Sequence, residues 1–250
     1  MKQKSLFVFS LFCFIAIVMT GCSWSPYVKV KVIDEKITID GKLNEKAWKY
    51  AKEYRFESID DLSNTPYLTA NAIKKDQFEL GKVSMLIDKN YLYVGIAMND
   101  KDIFTEATDN QTKIANLGDA VGINLKPANK NFFWQFQFSP TKKYSTFFSE
   151  GIGSVLLPST MDAKHLMPGV KFDIYTTKKT QSCWVAEIAI PLDQIAKKGV
   201  KFDDKNKWNI IVYRKNAGSN LRSIQTSSFP EMPMNNVNLV EYYSPVMFVK

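Results

Sequence analysis

The chain has 250 residues, 45% of them hydrophobic and 13% aromatic, with a formal charge of +8. That length can bury one sizeable core, and β-rich domains of this size are often single. The positive excess is scattered as lone lysines and short pairs such as Lys74-Lys75, Lys142-Lys143 and Lys197-Lys198, with no basic helix and no Arg-rich tract, which argues against nucleic acid as a partner.

Residues 1–21 read as a lipoprotein signal peptide. Lys2 and Lys4 make a basic start, Leu6 to Met19 is almost unbroken apolar, and Thr20-Gly21 supplies small residues for a signal peptidase. The apolar run is shorter than the about 20 residues that span a bilayer. Met19-Thr20-Gly21-Cys22 resembles a bacterial lipobox, with Met19 where Leu is usual, so Cys22 is expected to carry the lipid (palmitate among its acyl chains). Ser23 is not the Asp that marks inner-membrane retention in enteric bacteria. The expected localisation is therefore extracytoplasmic and membrane-anchored, at the outer membrane or cell surface in a Gram-negative cell. Losing Lys2 and Lys4 lowers the charge from +8 to +6. Cys13 leaves with the signal and Cys22 is acylated, so Cys183 remains alone and can form neither an internal disulfide nor a multi-Cys zinc site. Beside Trp184 in an apolar strand, Cys183 reads as a small buried hydrophobe.

Residues 22–27 form the lipidated start and a tether of little reach, and residues 28–250 a single domain. "ITIDGKLNEKAW", Ile37 to Trp48, comes first. Asp40-Gly41 makes a turn, Asn44 is placed as an N-cap, and Glu45 suits the first helical turn. Leu43 and Trp48 then occupy the positions of a hydrophobic staple, which predicts one short N-terminal helix with Trp48 turned inward. "KVSMLI" and "YLYVGIAM" are separated by Asp88-Lys89-Asn90, a break of hairpin length. "DAVGINL", "FFWQFQF", "WVAEIAIPL", "WNIIVYR" and "YYSPVMFV" follow. Alternation places Trp134 with Phe136 and Phe138, Trp184 with Ala186 and Ile188, and Trp208 with Ile210 and Val212, all as core faces. Gln135 and Gln137 then point the other way. Strands recurring without regular helical partners predict an all-β antiparallel sandwich rather than a βαβ fold. Glu57 to Gly81 and Ser149 to Gly169 read as long loops.

In this order, "ITIDGKLNEKAWKYA", "VSMLIDKNYLYVGIAMNDKDI", "GDAVGINL", "WVAEIAIPL" and "WNIIVYR" resemble the family 9 carbohydrate-binding module and its DOMON-like relatives. The likeness runs from about Val30 to Val249. It implies a β-sandwich with a sugar-binding face, in a family often attached to xylan- or glucan-degrading enzymes. Sugar-binding members hold the sugar between two tryptophans, one before a "D-x-V-E" strand and one in the loop before the last strand. Here Asn116 and Leu117 stand at the first place, and "PEMPMNNVNLVEYY" supplies no tryptophan at the second. Asp119 matches the motif's Asp, and Gly122 replaces its Glu. Gln135 and Gln137 match a polar face that meets sugar hydroxyls, and Arg214 matches a basic residue near its strand's end. Phe147-Phe148, Tyr91, Tyr93 and Phe229 are the other aromatics that could serve as platforms, though partial core is their ordinary role.

The expected function is non-catalytic binding of a glycan or oligosaccharide by a membrane-anchored lipoprotein. Gln135, Gln137 and Asp119 would pair hydroxyls, while Arg214 orients the site or meets an acidic sugar. Alanine at Gln135 and Gln137 is expected to abolish binding and leave the melting temperature unchanged. The alternative keeps the fold as an envelope scaffold that binds a protein partner, with the sugar site lost. A haem-binding DOMON-like domain is a third reading, since His165 with Met161 or Met167 offers ligand types. Met161 and His165 are only four apart, however, so one segment would have to ligate both porphyrin faces unless a distant residue such as Met85, Met98 or a lysine supplied one side. Catalysis is not expected. Glu187, Asp119, Asp193 and Asp60-Asp61 are notable carboxylates, but nothing in the sequence places two of them together across a cleft, and His165 lacks a nucleophile motif. No cofactor is called for, and calcium is left open.

Overall fold

The structure, a computed structural model, describes residues 26–58, 79–151, 166–177, 183–218 and 224–250, with residues 160–162 described by backbone alone. The signal segment, Cys22, Asp60-Asp61, His165 and the Met161 side chain lie outside the described residues. In chain order the first strands are β1 (Val28–Val32), β2 (Glu53–Arg55), β3 (Glu57–Ser58), β4 (Gly81–Ile87), β5 (Tyr91–Asn99), β6 (Ala120–Pro127) and β7 (Phe132–Phe138). Then come β8 (Tyr144–Glu150), β9 (Thr160–Asp162), β10 (Lys171–Thr177), β11 (Cys183–Pro191), β12 (Trp208–Asn216), β13 (Gln225–Phe229) and β14 (Ser244–Val249).

The strands form two layers, as the alternation predicts. One runs β10-β11-β5-β4-β1 with β2 on β4; the other runs β12-β6-β7-β8-β9 with β13 and β3 beside β12. β14 belongs to both. Ser244 and Pro245 pair with Ile210 and Asn209 of β12, and Val246 onward pairs in parallel with β1 from Val28. β1 is also parallel to β4, so the sandwich is closed by a mixed strand arrangement at a point where short-range pattern carries no information. The main core lies between the layers, where Trp134, Trp184 and Trp208 are all buried. Cys183 is only half-buried, because it is the first residue of β11. Within the stretch expected as a loop from Ser149 to Gly169, Thr160–Asp162 instead forms a short strand on β8.

The opening segment folds as a clasp over the outer face of the first layer. Its helix is a 3-10 turn, Lys46–Tyr50, with Glu45 rather than Asn44 at the cap position and no side-chain capping bond. The reason lies across the sheet. Glu187 on β11 points outward, where its Oε2 accepts the N–H groups of Asp40 and Gly41 at 2.9 and 3.0 Å. Its Oε1 accepts the Trp48 indole N–H at 2.9 Å. Gly41 has φ +82°, and an added Cβ there would sit 2.8 Å from the Tyr175 backbone nitrogen. Only glycine lets the turn come this close. Trp48 is buried as expected, in a satellite cluster with Ile37, Leu86, Tyr93 and Ala189 rather than in the main core.

Candidate functional site

The outer face of the second layer is half covered by two irregular segments. Residues 105–117 pack Ala107, Ile114 and Ala115 against Tyr213 and Ala120. From the other side, Met232, Leu239, Val240 and Tyr243 pack on Phe133 and Ile211. Asn124 fastens this second wall, its Nδ2 donating to Tyr243 Oη at 2.7 Å and to the Val237 carbonyl at 3.0 Å. A cavity of about 270 Å3 remains between the walls.

Its floor is polar. Period-two alternation sends Gln135 and Gln137 of β7 and Tyr213 of β12 to this face, opposite the core side chains of the same strands. Gln135 and Gln137 donate through Nε2 to the Tyr213 hydroxyl at 3.2 and 3.4 Å. Gln135 Nε2 also reaches Asn238 Oδ1 at 3.4 Å, and Gln137 Oε1 accepts the Ala115 N–H at 3.1 Å. Both amides thus join floor to wall. Gln135 Oε1 is buried and accepts nothing among the described residues. Gly122 lies beneath the Tyr213 ring: an added Cβ would come within 1.9 Å of Cζ. The absence of a side chain at Gly122 is what lets tyrosine form the floor.

The walls carry Lys113, Asn116, Asn235 and Asn238, with Lys215 on the rim of β12. Lys215 Nζ donates to Thr226 Oγ1 at 2.7 Å and Asn235 Oδ1 at 3.1 Å. Burial pulls the Lys215 ammonium down to about 8. Burial pushes the Tyr213 phenol up, so it stays protonated at neutral pH. No Asp or Glu among the described residues lines the cavity.

Asp119 and Arg214 are not brought to it. Asp119 is fully buried; its Oδ2 accepts the Phe104 N–H at 2.6 Å and its Oδ1 the Ala217 N–H at 2.8 Å. It therefore fastens the loop after β5 to the end of β12. Burial pushes its carboxyl up to about 7, with the negative Asp100 adding to the effect while the two N–H groups and Arg214 oppose it. Arg214 shares the inner face of β12 with Trp208, Ile210 and Val212 and is 1% exposed. Its guanidinium meets Asp100 Oδ2 at 3.1 Å, Glu79 Oε2 at 3.4 Å and the Glu79 carbonyl at 3.0 Å. Asp100 also accepts the Trp184 indole N–H at 3.0 Å. Arg214 thus serves as a buried counter-ion between the layers.

Sequence reasoning missed Tyr213, Lys113, Lys215 and the Asn235–Asn238 wall. Alternation through "WNIIVYRK" already places Tyr213 and Lys215 opposite Trp208, so two of the four were within reach of the pattern. Of the substitute aromatics, Phe147 is buried at the cavity edge, Phe148 is in the core, and Phe229 stacks on Tyr54 at 4.3 Å. Tyr93 is buried, and Tyr91 lies beneath the Lys171 ammonium. A larger cavity of about 590 Å3 sits at the far end of the sandwich, beside the Asp88–Asn90 turn. Apolar side chains such as Val32, Ile87 and Phe248 share its walls with five carboxylates, Asp34, Asp88, Asp193, Asp203 and Asp204, of which Asp88 and Asp203 accept the N–H groups of their own turns. Among the described residues, no three His, Cys, Asp or Glu side chains converge as a metal cage.

No protein-family model matches the chain, and no curated protein matches it in sequence. Solved structures do. A Bacteroides uniformis protein, provisionally described as carbohydrate-binding, aligns over 89% of this chain and 99% of its own, with a TM-score of 0.63 at 10% identity. A family 9 carbohydrate-binding module from Caldicellulosiruptor kristjanssonii, solved with cellotriose, aligns over 88% and 93% with a TM-score of 0.57 at 14% identity. The same kind of module solved with glucose aligns over 88% and 95% with a TM-score of 0.56 at 14% identity. The chain has the all-β sandwich fold of the family 9 carbohydrate-binding modules.

Proposed function

We propose that this protein is a non-catalytic glycan-binding domain, tethered outside the cytoplasm by a lipid on Cys22, that takes a saccharide in the Gln135–Gln137–Tyr213 cavity. The observation that carries the proposal is the unmet acceptor on the cavity floor. A buried polar atom without a partner costs about 1–3 kcal/mol, and Gln135 Oε1 is such an atom. Gln135 lines the cavity, and a small turn of its amide presents this oxygen to a sugar hydroxyl that supplies the missing donor. The Tyr213 hydroxyl, itself fully buried, accepts from two amides and so fixes Gln135 and Gln137 beneath the cavity. The neighbouring folds bind cellotriose and glucose. At about 270 Å3 the cavity falls just under the roughly 300–1,000 Å3 of ordinary ligand pockets, which suits one ring or one chain end.

Hydrolysis of a glycosidic bond requires two carboxyl groups flanking the bond. The cavity offers none among the described residues, and Glu187 and Asp119 are held by backbone N–H groups elsewhere. Asp119 and Arg214 accordingly support the fold in this proposal, and the ligand is left to the amides, which Tyr213 positions, and to the asparagine wall. Since Gln137 also holds the Ala115 N–H, its replacement lowers stability as well as affinity, and Gln135 is the cleaner probe. The test is a glycan array with the wild-type protein and with Gln135→Ala and Asn238→Ala. Binding by wild type that falls at least tenfold in both variants supports the proposal. A blank array across neutral and acidic saccharides overturns it and favours a scaffold that binds protein.

A further inference from the structure

Among the described residues, the charges that line the cavity are of one sign. Lys215 stands on the rim with neutral partners only, Thr226 Oγ1 and Asn235 Oδ1. Lys113 is exposed on the opposite wall. Among the described residues neither lysine takes part in an ion pair, although three other lysines of this chain do. A half-buried ammonium without a counter-ion is an unfavourable arrangement that a bound anion corrects. The floor, by contrast, asks for hydroxyls, because Gln135 Oε1 needs a donor. Cations at the cavity walls above a hydroxyl-reading floor describe a ligand that carries both groups.

We propose that the cavity selects an acidic saccharide, with Lys215 and Lys113 meeting a uronate carboxylate while Gln135 and Gln137 read its hydroxyls. The inference rests on the glycan reading above and adds the class of glycan. Lys215 remains mostly protonated at neutral pH, as the ion pair requires. Charge-assisted hydrogen bonds to a carboxylate are roughly twice as strong as neutral ones, so the acid is favoured over an uncharged sugar of the same shape.

The experiment titrates the protein calorimetrically with trisaccharides of galacturonate, glucuronate and mannuronate, with their methyl esters, with cellotriose, and with acetate. At least one acid should bind tenfold or more tightly than its methyl ester, and that ratio should fall toward one in Lys113→Met and Lys215→Met. Lys113 is exposed and without an ion-pair partner, so its variant remains informative if Lys215→Met fails to fold. Equal affinity for acid and ester, or binding of cellotriose alone, overturns the inference and leaves the glycan reading standing. Acetate binding as tightly as the acids, unaffected by Gln135→Ala, overturns both in favour of a simple anion site. Silence across the whole panel overturns both as well.

Discussion

Glu187 is the strongest single test of how the outer clasp is held. The side chain is fully buried, and its two oxygens accept three N–H groups, from Asp40, Gly41 and Trp48. Glu187→Gln keeps the shape and turns one acceptor into a donor. The amide oxygen can satisfy either the backbone pair or the indole, and the NH2 group then faces the donor that is left. A hydrogen bond to a charged group contributes about 1.5–3 kcal/mol, and an unsatisfied buried donor costs about 1–3 kcal/mol. The expected loss is about 3 kcal/mol, or roughly 6–12 °C in melting temperature for a domain of this size. In a Trp48→Phe background the indole donor is gone, so the amide can point its NH2 group at the ring without opposing another N–H. Glu187→Gln should then cost at least about 1 kcal/mol less than in wild type. Chemical denaturation of the four proteins measures the cycle, and saccharide affinity should stay within twofold throughout. Additive losses, or a Glu187→Gln penalty below about 0.5 kcal/mol, would refute the clasp.

Three further outcomes are expected. Gly122→Ala forces Cβ into the Tyr213 ring, so it should lower stability by about 1–3 kcal/mol and saccharide affinity at least tenfold; equilibrium unfolding and calorimetry read the two effects, and an unchanged affinity would remove Tyr213 from the site. Arg214→Met strands the carboxylate of Asp100, so it should destabilise by about 3–5 kcal/mol with affinity unchanged in whatever fraction stays folded, whereas a stable protein that has lost binding would return Arg214 to the ligand. Asp119 gives a pH signature. Unfolded, the carboxyl loses its proton near 4; folded, it keeps the proton to about 7, so the stability it contributes is complete below pH 4 and is lost as pH rises through 7. That decline is worth up to about 4 kcal/mol, and Asp119→Asn should remove it, leaving a smaller slope from Asp100, which burial also pushes up. Melts at pH 4.5 and 8 that fall equally in both proteins would contradict this.

The strands were legible because each carries its own period-two signal, and the three core tryptophans follow from it. The outward direction of Gln135 and Gln137 was legible for the same reason. Closure of the sandwich was not, since β14 changes layers at Pro245 through pairings with residues more than thirty positions away in sequence. Nor could local pattern find that the carboxylate fastening Asp40 and Gly41 comes from Glu187, 147 and 146 residues further on. A helix with an Asn44 cap was the reasonable local expectation, and a distant partner replaced it with a 3-10 turn. Asp119 and Arg214 were misplaced because a motif match names residue types and not directions. Parity along β12 puts Arg214 beside Val212 on the core side. The cavity walls come from irregular segments, in which spacing carries no direction at all.

The central claim is that the outer-face cavity is the saccharide site, and side-chain amide resonances report on it directly. In a nitrogen-15 NMR titration with cellotriose and with galacturonate, glucuronate and mannuronate trisaccharides, the NH2 groups of Gln135, Gln137 and Asn238 should shift first and saturate together. Saturating shifts confined to residues of the far-end cavity, such as Val32, Ile87 and Phe248, or no shifts with any of the four, would contradict it.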